Sequence, residues 1–264
     1  MMRTSNPALN AAVFSVRDTS CSTVMTLQGT VAKTAILLGI LMVGAAFTWH
    51  QAMQGYDVAN VANVRPGSVQ LSQVPPGIMG YIAGGAIVGM ILALITVFKP
   101  AVSPYTAPVY ALAEGVFLGG FSAMFQYIYP GIVPEAVALT FGTFAALLTA
   151  YATRIIRPTE KFKLGIVAAT GGICLFYLAT MVLGFFGVGI PAIYQAGWVG
   201  IGFSAFVVVI AALNLVLDFD FIETGCAQGA PKYMEWYGGF GLLVTLVWLY
   251  MEILRLLVKL RGRD

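Results

Sequence analysis

The stretch Trp236–Leu257, WYGGFGLLVTLVWLYMEILRLL, holds only two charged residues, Glu252 and Arg255, both toward its end. About 20 consecutive apolar residues cross the hydrocarbon core of a bilayer as a helix, so this stretch reads as a membrane span, placed at residues 236–258. Working back from it, six more charge-poor segments fall near residues 31–49, 78–98, 107–129, 133–152, 164–186 and 197–217. Composition agrees: 59% of residues are hydrophobic, 9% are charged and the mean hydropathy is +0.87, against roughly 25% charged in soluble proteins. The expected fold is an all-α integral membrane protein of seven transmembrane helices.

Residues 1–30 contain no long apolar core and no small-residue cleavage pattern, so they read as a soluble N-terminal tail rather than a signal peptide. The membrane domain is expected over 31–260, with 261–264 as a basic C-terminal end. Lys and Arg in short connections set orientation. With the N-terminus in the cytoplasm, the inner face collects nine of the 14 basic residues, Arg3, Arg17, Lys33, Lys99, Arg154, Arg157, Lys161, Lys163 and Lys232. The outer face collects Arg65, Arg255, Lys259, Arg261 and Arg263. A cytoplasmic N-terminus is therefore expected, with the proline-bearing loop Gln51–Gly77 outside as an irregular cap. The basic end RLLVKLRGR would suit the cytoplasm only if the last segment were re-entrant. Cys21, Cys174 and Cys226 form no C-x-x-C pair and are expected as free thiols. His50 has no second ligand at metal-binding spacing and reads as an interfacial histidine.

Glycines recur at four-residue spacing: Gly80 with Gly84, Gly85 with Gly89, and Gly115 with Gly119. Such faces let helices approach closely in lipid. None belongs to a nucleotide loop, because GGAIVG lies inside an apolar run with no following Lys-Ser or Lys-Thr.

Ionisable residues at membrane depth are functional candidates, since a charge there is costly. Glu114, in YALAEGVFLGG, lies about 8 Å into its helix counted from Val109. Asp218 closes the sixth apolar run, which returns to the same face, so the two carboxylates are expected at similar depth. They are the leading candidates for pH sensing and the ion pathway, with Glu252 as a third. Asp220, about 200° around the helix from Asp218, and Glu223, a turn beyond Asp220, are expected at the cytoplasmic surface as a solvated acidic helix end. Glu252 and Arg255, three apart on one face, fit an intrahelical ion pair. Glu252 lies about 24 Å from Trp236 along the helix, near the outer end.

Several chemistries find no residues to carry them. The last span lacks an interior Lys for a retinal Schiff base. Intramembrane proteolysis lacks both a membrane His and an Asp pair on separate spans. Asp218-x-Asp220 opens like a calcium-binding loop, but Ile222 occupies the third ligand position. Neither an enzyme, a cofactor nor a nucleic-acid partner is expected.

Four stretches resemble a known family: SNPAL at Ser5–Leu9, APVYALAEGVFLGG at Ala107–Gly120, LDFDFIE at Leu217–Glu223, and GAPKYMEWYGGFGLLVTLVWLYMEILRLL at Gly229–Leu257. The chain resembles the Bax inhibitor (TMBIM) superfamily, in its bacterial YccA-like branch, over nearly its whole length. The resemblance implies a central seventh helix wrapped by the other six, a place in the bacterial inner (plasma) membrane, and a pH-sensitive calcium leak. It places a family aspartate at Asp218, followed by Phe219. The partner aspartate of the seventh helix has no counterpart: Leu249 takes its place, and Glu252 lies about one turn later. A partly desolvated carboxyl takes up protons nearer neutrality than a solvated one. Oxygen ligands at Asp218 and Glu114 suit a transient calcium ion. Two other readings stay open, a non-transporting regulator of a membrane-bound protease, as YccA-like relatives suggest, and a secondary transporter.

Overall fold

The computed structural model describes residues 24–55, 76–186 and 197–262. Residues 1–23 of the expected N-terminal tail, with Cys21 and the SNPAL stretch, residues 56–75 of the expected cap, and residues 263–264 lie outside the described residues. Among those described there are seven long helices: α1 Leu27–Gly55, α2 Pro76–Phe98, α3 Ser103–Ile128, α4 Ile132–Ala152, α5 Glu160–Phe185, α6 Trp198–Ala227 and α7 Met234–Arg261. A single turn of 3-10 helix, Pro100–Val102, joins α2 to α3. All seven are long and apolar enough to cross a membrane, so the protein is an all-α, seven-span membrane protein.

The helices overrun the apolar segments. α1 starts at Leu27 rather than at residue 31, and α6 continues to Ala227 rather than stopping at 217. Hydropathy marks the hydrocarbon core alone. The backbone must stay hydrogen-bonded wherever water is scarce, so polar turns such as DFDFIETGCA remain helical beyond it. At the start of α5, the Thr159 hydroxyl caps the helix by accepting from the Phe162 N–H. α7 is one continuous helix of 28 residues and is not re-entrant. It is also the most buried of the seven, whereas α2, α4 and α5 are the least.

The described chain divides into two compact units, residues 24–134 with 222–243, and residues 135–221 with 244–262. In the first, small residues set the spacing. A Cβ added at Gly115 or Gly119 of α3 would run into the backbone of Leu41 or Ala45 of α1, and one at Gly85 of α2 into the backbone of Ala113 and Phe117. These pairings make α1 and α3 parallel and α2 antiparallel to α3. The expectation of packing fails at Gly80 and Gly84, where a side chain would meet nothing within 4 Å, because those positions sit on a different face of α2 from Gly85 and Gly89. The start of α7 joins this unit by polar ties: the Met25 N–H donates to the Ala230 carbonyl at 2.8 Å, and the Ser103 hydroxyl to the Tyr233 carbonyl at 3.0 Å.

In the second unit, contacts between Lys163 and Asp220, and between Thr170 and Asn214, run α5 antiparallel to α6. Lys259 donates to Gly200 and Ser204, which runs α7 antiparallel to α6 as well. A cluster of Ile173, Val207 and Ile210 is packed by Phe203, Tyr177 and Trp248.

Candidate functional site

The LDFDF run shows how α6 distributes its side chains. Successive residues turn about 100° around a helix, so Asp218, Phe219 and Asp220 point in three directions. Asp218 shares a buried face with Ser204, Val207, Ala211 and Asn214, spaced three or four apart, and is 2% exposed. The Phe219 ring packs against Phe144 and Tyr151 of α4, at centroid distances of 5.8 and 5.7 Å. Asp220 meets Lys163 of α5 at 2.7 Å.

The Asp220 contact corrects the expectation of a solvated acidic helix end. Lys163 reads from sequence as a loop cation, yet it lies in the first turn of α5, buried, between Glu160 at 3.3 Å and Asp220. Because α6 runs past the apolar segment, Asp220 lies well inside the helix and opposite that lysine. Glu223, on the last turns of α6, is half-buried rather than solvated.

One turn before Asp218, the Asn214 amide donates to the Thr170 hydroxyl of α5 and to the Ile210 carbonyl, both at 2.8 Å. Farther along α5, the Tyr177 hydroxyl donates to Glu252 at 3.2 Å, and Arg255 donates to both Glu252 and Tyr177. The Arg255 to Glu252 distance is 2.9 Å, the ion pair read from their spacing. Tyr177 was not legible as its third member, because it joins from another helix. Glu252 is 2% exposed. The guanidinium also stacks over the Tyr177 ring, 5.2 Å from its centroid. Lys259, buried in the last turns of α7, donates to the Gly200 carbonyl at 3.0 Å and the Ser204 hydroxyl at 2.8 Å.

Residues 6–262 match the family model described as Bax inhibitor 1 like. The chain belongs to that family. No curated protein and no solved structure matches it.

The other unit of this Bax inhibitor 1-like chain holds Glu114, so Glu114 and Asp218 fall in different units. Glu114 is half-buried on α3, and a Cβ at Gly89 of α2 would stand 2.9 Å from its Oε2. The missing side chain at position 89 makes the room that the carboxylate occupies. No hydrogen bond or ion pair reaches Glu114 among the described residues, so a notch in α2 stands where a polar partner would be expected.

The same unit contains a carboxylate that sequence reasoning overlooked. Glu235, in the first turn of α7, is 1% exposed. Its Oε1 accepts from the Thr26 N–H at 3.0 Å, the Thr26 hydroxyl at 2.8 Å and the Lys232 ammonium at 2.7 Å. It thereby closes the N-terminus of α1, where orphan N–H groups and the helix dipole favour an anion. A Cβ at Gly29 would overlap the carboxylate. The signal in the sequence was the Lys232 to Glu235 spacing of three at a helix start. Among the described residues, no three His, Cys, Asp or Glu side chains converge as metal ligands.

Proposed function

We propose that this protein is a pH-sensitive cation leak, calcium being the ion carried, in which protonation of Asp218 switches the path. One observation carries the reading. Asp218 is an almost fully enclosed carboxyl, 2% exposed, at membrane depth on the buried face of α6. A buried intramembrane acid is costly and marks function by default, and losing or gaining its charge biases the packing of the helix that bears it. Glu252, equally enclosed and held by Arg255 and Tyr177, is a second acid of the same unit, and Glu114, behind its glycine notch in the other unit, is a separate candidate for pH sensing. Calcium would bind such oxygens only transiently, as conduction requires. The protein sits in the bacterial inner membrane with its N-terminus in the cytoplasm.

The test is calcium flux into liposomes holding the purified protein, across a pH series. Asp218→Asn has the shape of the protonated carboxyl without its titration, so it should remove most of the pH dependence and fix flux at the wild type's low-pH limit. Asp220→Asn should lower stability, by leaving buried Lys163 only its longer ion pair with Glu160, and leave the pH profile in place. Equal loss of pH dependence in both variants would point to a diffuse acidic vestibule instead. Absence of flux in the wild type at every pH would sink the leak reading.

A further inference from the structure

α5 is largely apolar beyond its charged first turn and carries polar side chains at seven-residue intervals, Lys163, Thr170 and Tyr177. Each finds a polar partner inside the unit: Asp220 for Lys163, Asn214 for Thr170, Glu252 for Tyr177. Seven residues rise about 10 Å, so the three rungs span about 21 Å, most of a hydrocarbon core about 30 Å thick. Buried isoleucines alternate with the rungs on this face, Ile166 at 4% and Ile173 at 5% exposure, and the second belongs to a wider apolar cluster. Between the Thr170 and Tyr177 rungs lies the apolar cluster of Ile173, Val207 and Ile210, at 5%, 0% and 8% exposure, with Phe203 and Trp248 packed on it.

We propose that Ile173, Val207 and Ile210 form a hydrophobic gate that closes an ion path between α5, α6 and α7. On one side of the gate stand Thr170, Asn214 and, a turn on, Asp218; on the other stand Tyr177, Glu252 and Arg255. The assignment rests on the cation-leak reading and gives that leak its closed point. An apolar constriction sheds water, and an ion does not enter it without its hydration shell or ligands to replace that shell. Both flanking groups can solvate an ion, and the cluster offers no oxygen donor from its side chains. Arg255 does not by itself bar cations from the Tyr177 side of the gate, because Glu252 offsets its charge at 2.9 Å. The competing account is that the rungs merely glue helices together by interhelical hydrogen bonds, in which case the seam is dry throughout.

Two measurements on the full-length protein in liposomes separate these accounts. Val207→Thr keeps the branched shape and adds a hydroxyl inside the cluster. It should raise calcium flux about tenfold at neutral pH, since a wetted constriction no longer demands a bare ion. Val209→Thr, on the lipid-facing side of the same helix at 54% exposure, should leave flux unchanged. Ile210→Thr serves if Val207→Thr does not fold. The second measurement needs no conduction. In a background without Cys21, Cys174 and Cys226, Thr170→Cys and Tyr177→Cys should each react with a membrane-impermeant thiol reagent from one face only, and from opposite faces. Adding Val207→Thr should make each reactive from both. Cysteines that react from neither face, or from both faces with Val207 intact, would overturn the gate. A conducting wild type with unchanged flux in both threonine variants would overturn it too while leaving the leak reading standing. A silent wild type with one-sided labelling that Val207→Thr makes two-sided would sink the leak reading and keep the gate.

Discussion

At position 115 one hydrogen atom decides how closely α3 lies on α1. A methyl group there would run into the Leu41 backbone, and backbone cannot swing aside as a side-chain tip can. Gly115→Ala should therefore cost about 1–3 kcal/mol, the usual penalty for overpacking. Gly84→Ala faces open space and should be neutral or stabilising by up to about 1 kcal/mol, because alanine favours the helix. Reversible unfolding of both variants in mixed micelles checks the pair, and equal losses would show that the tight crossing is not what glycine serves. Glu235 makes a second prediction at this scale. Its Oε1 receives three donors, one of them a cation. Glu235→Gln keeps the shape, removes the charge and should cost about 1–3 kcal/mol, with Lys232 free to turn toward water. An unfolding midpoint unchanged from wild type would mean that the α1 terminus is held by its packing alone. Glu235 escaped sequence reading because a charged residue just outside an apolar run looks solvated. Its burial comes from Thr26, which lies 209 positions away in the chain.

Between elements, the α5 to α6 seam rests on a pair that neither helix displays by itself. Removing one member of a buried ion pair costs roughly 3–5 kcal/mol because it strands the other charge, whereas replacing both by apolar groups is often neutral. Lys163→Met should fall toward the lower end of that range, since the Asp220 side chain keeps 23% exposure. The double variant Lys163→Met with Asp220→Leu should recover most of the loss. Additive losses would show instead that each side chain acts through separate contacts. The same seam marks what could be read from sequence. Seven spans follow from apolar length, and the burial of Asp218 follows from its place in an apolar run. The pairing of Asp220 does not follow, because apolar length gives neither the polar overhang of α6 nor the neighbour of that overhang. Glu252 and Arg255 were legible as a pair because both belong to α7, whereas Tyr177 comes from α5 and left only its seven-residue spacing from Thr170 and Lys163 as a trace.

For the whole molecule, seven crossings put the two ends of the chain on opposite faces of the membrane, so a cytoplasmic N-terminus requires an external C-terminus. The basic residues of α7 would argue against that placement if they were free. They are not: Arg255 is paired with Glu252, Arg261 with Glu135 at 2.7 Å, and Lys259 is turned into the protein toward Gly200 and Ser204. Cations compensated by an acid or turned into the protein present little net charge to anionic lipid, so those of α7 weigh little against Lys99, Arg154, Arg157 and Lys161 on the other side. Three single cysteines, introduced after removing Cys21, Cys174 and Cys226, make the orientation measurable. In intact cells an impermeant thiol reagent should label Ser68→Cys and Asp264→Cys and should reach Ser5→Cys only after permeabilisation. The reverse pattern at all three would flip the orientation while preserving seven crossings. Labelling of Ser5→Cys and Asp264→Cys from the same face would contradict the number of spans itself, since only an even count of crossings brings both ends to one side.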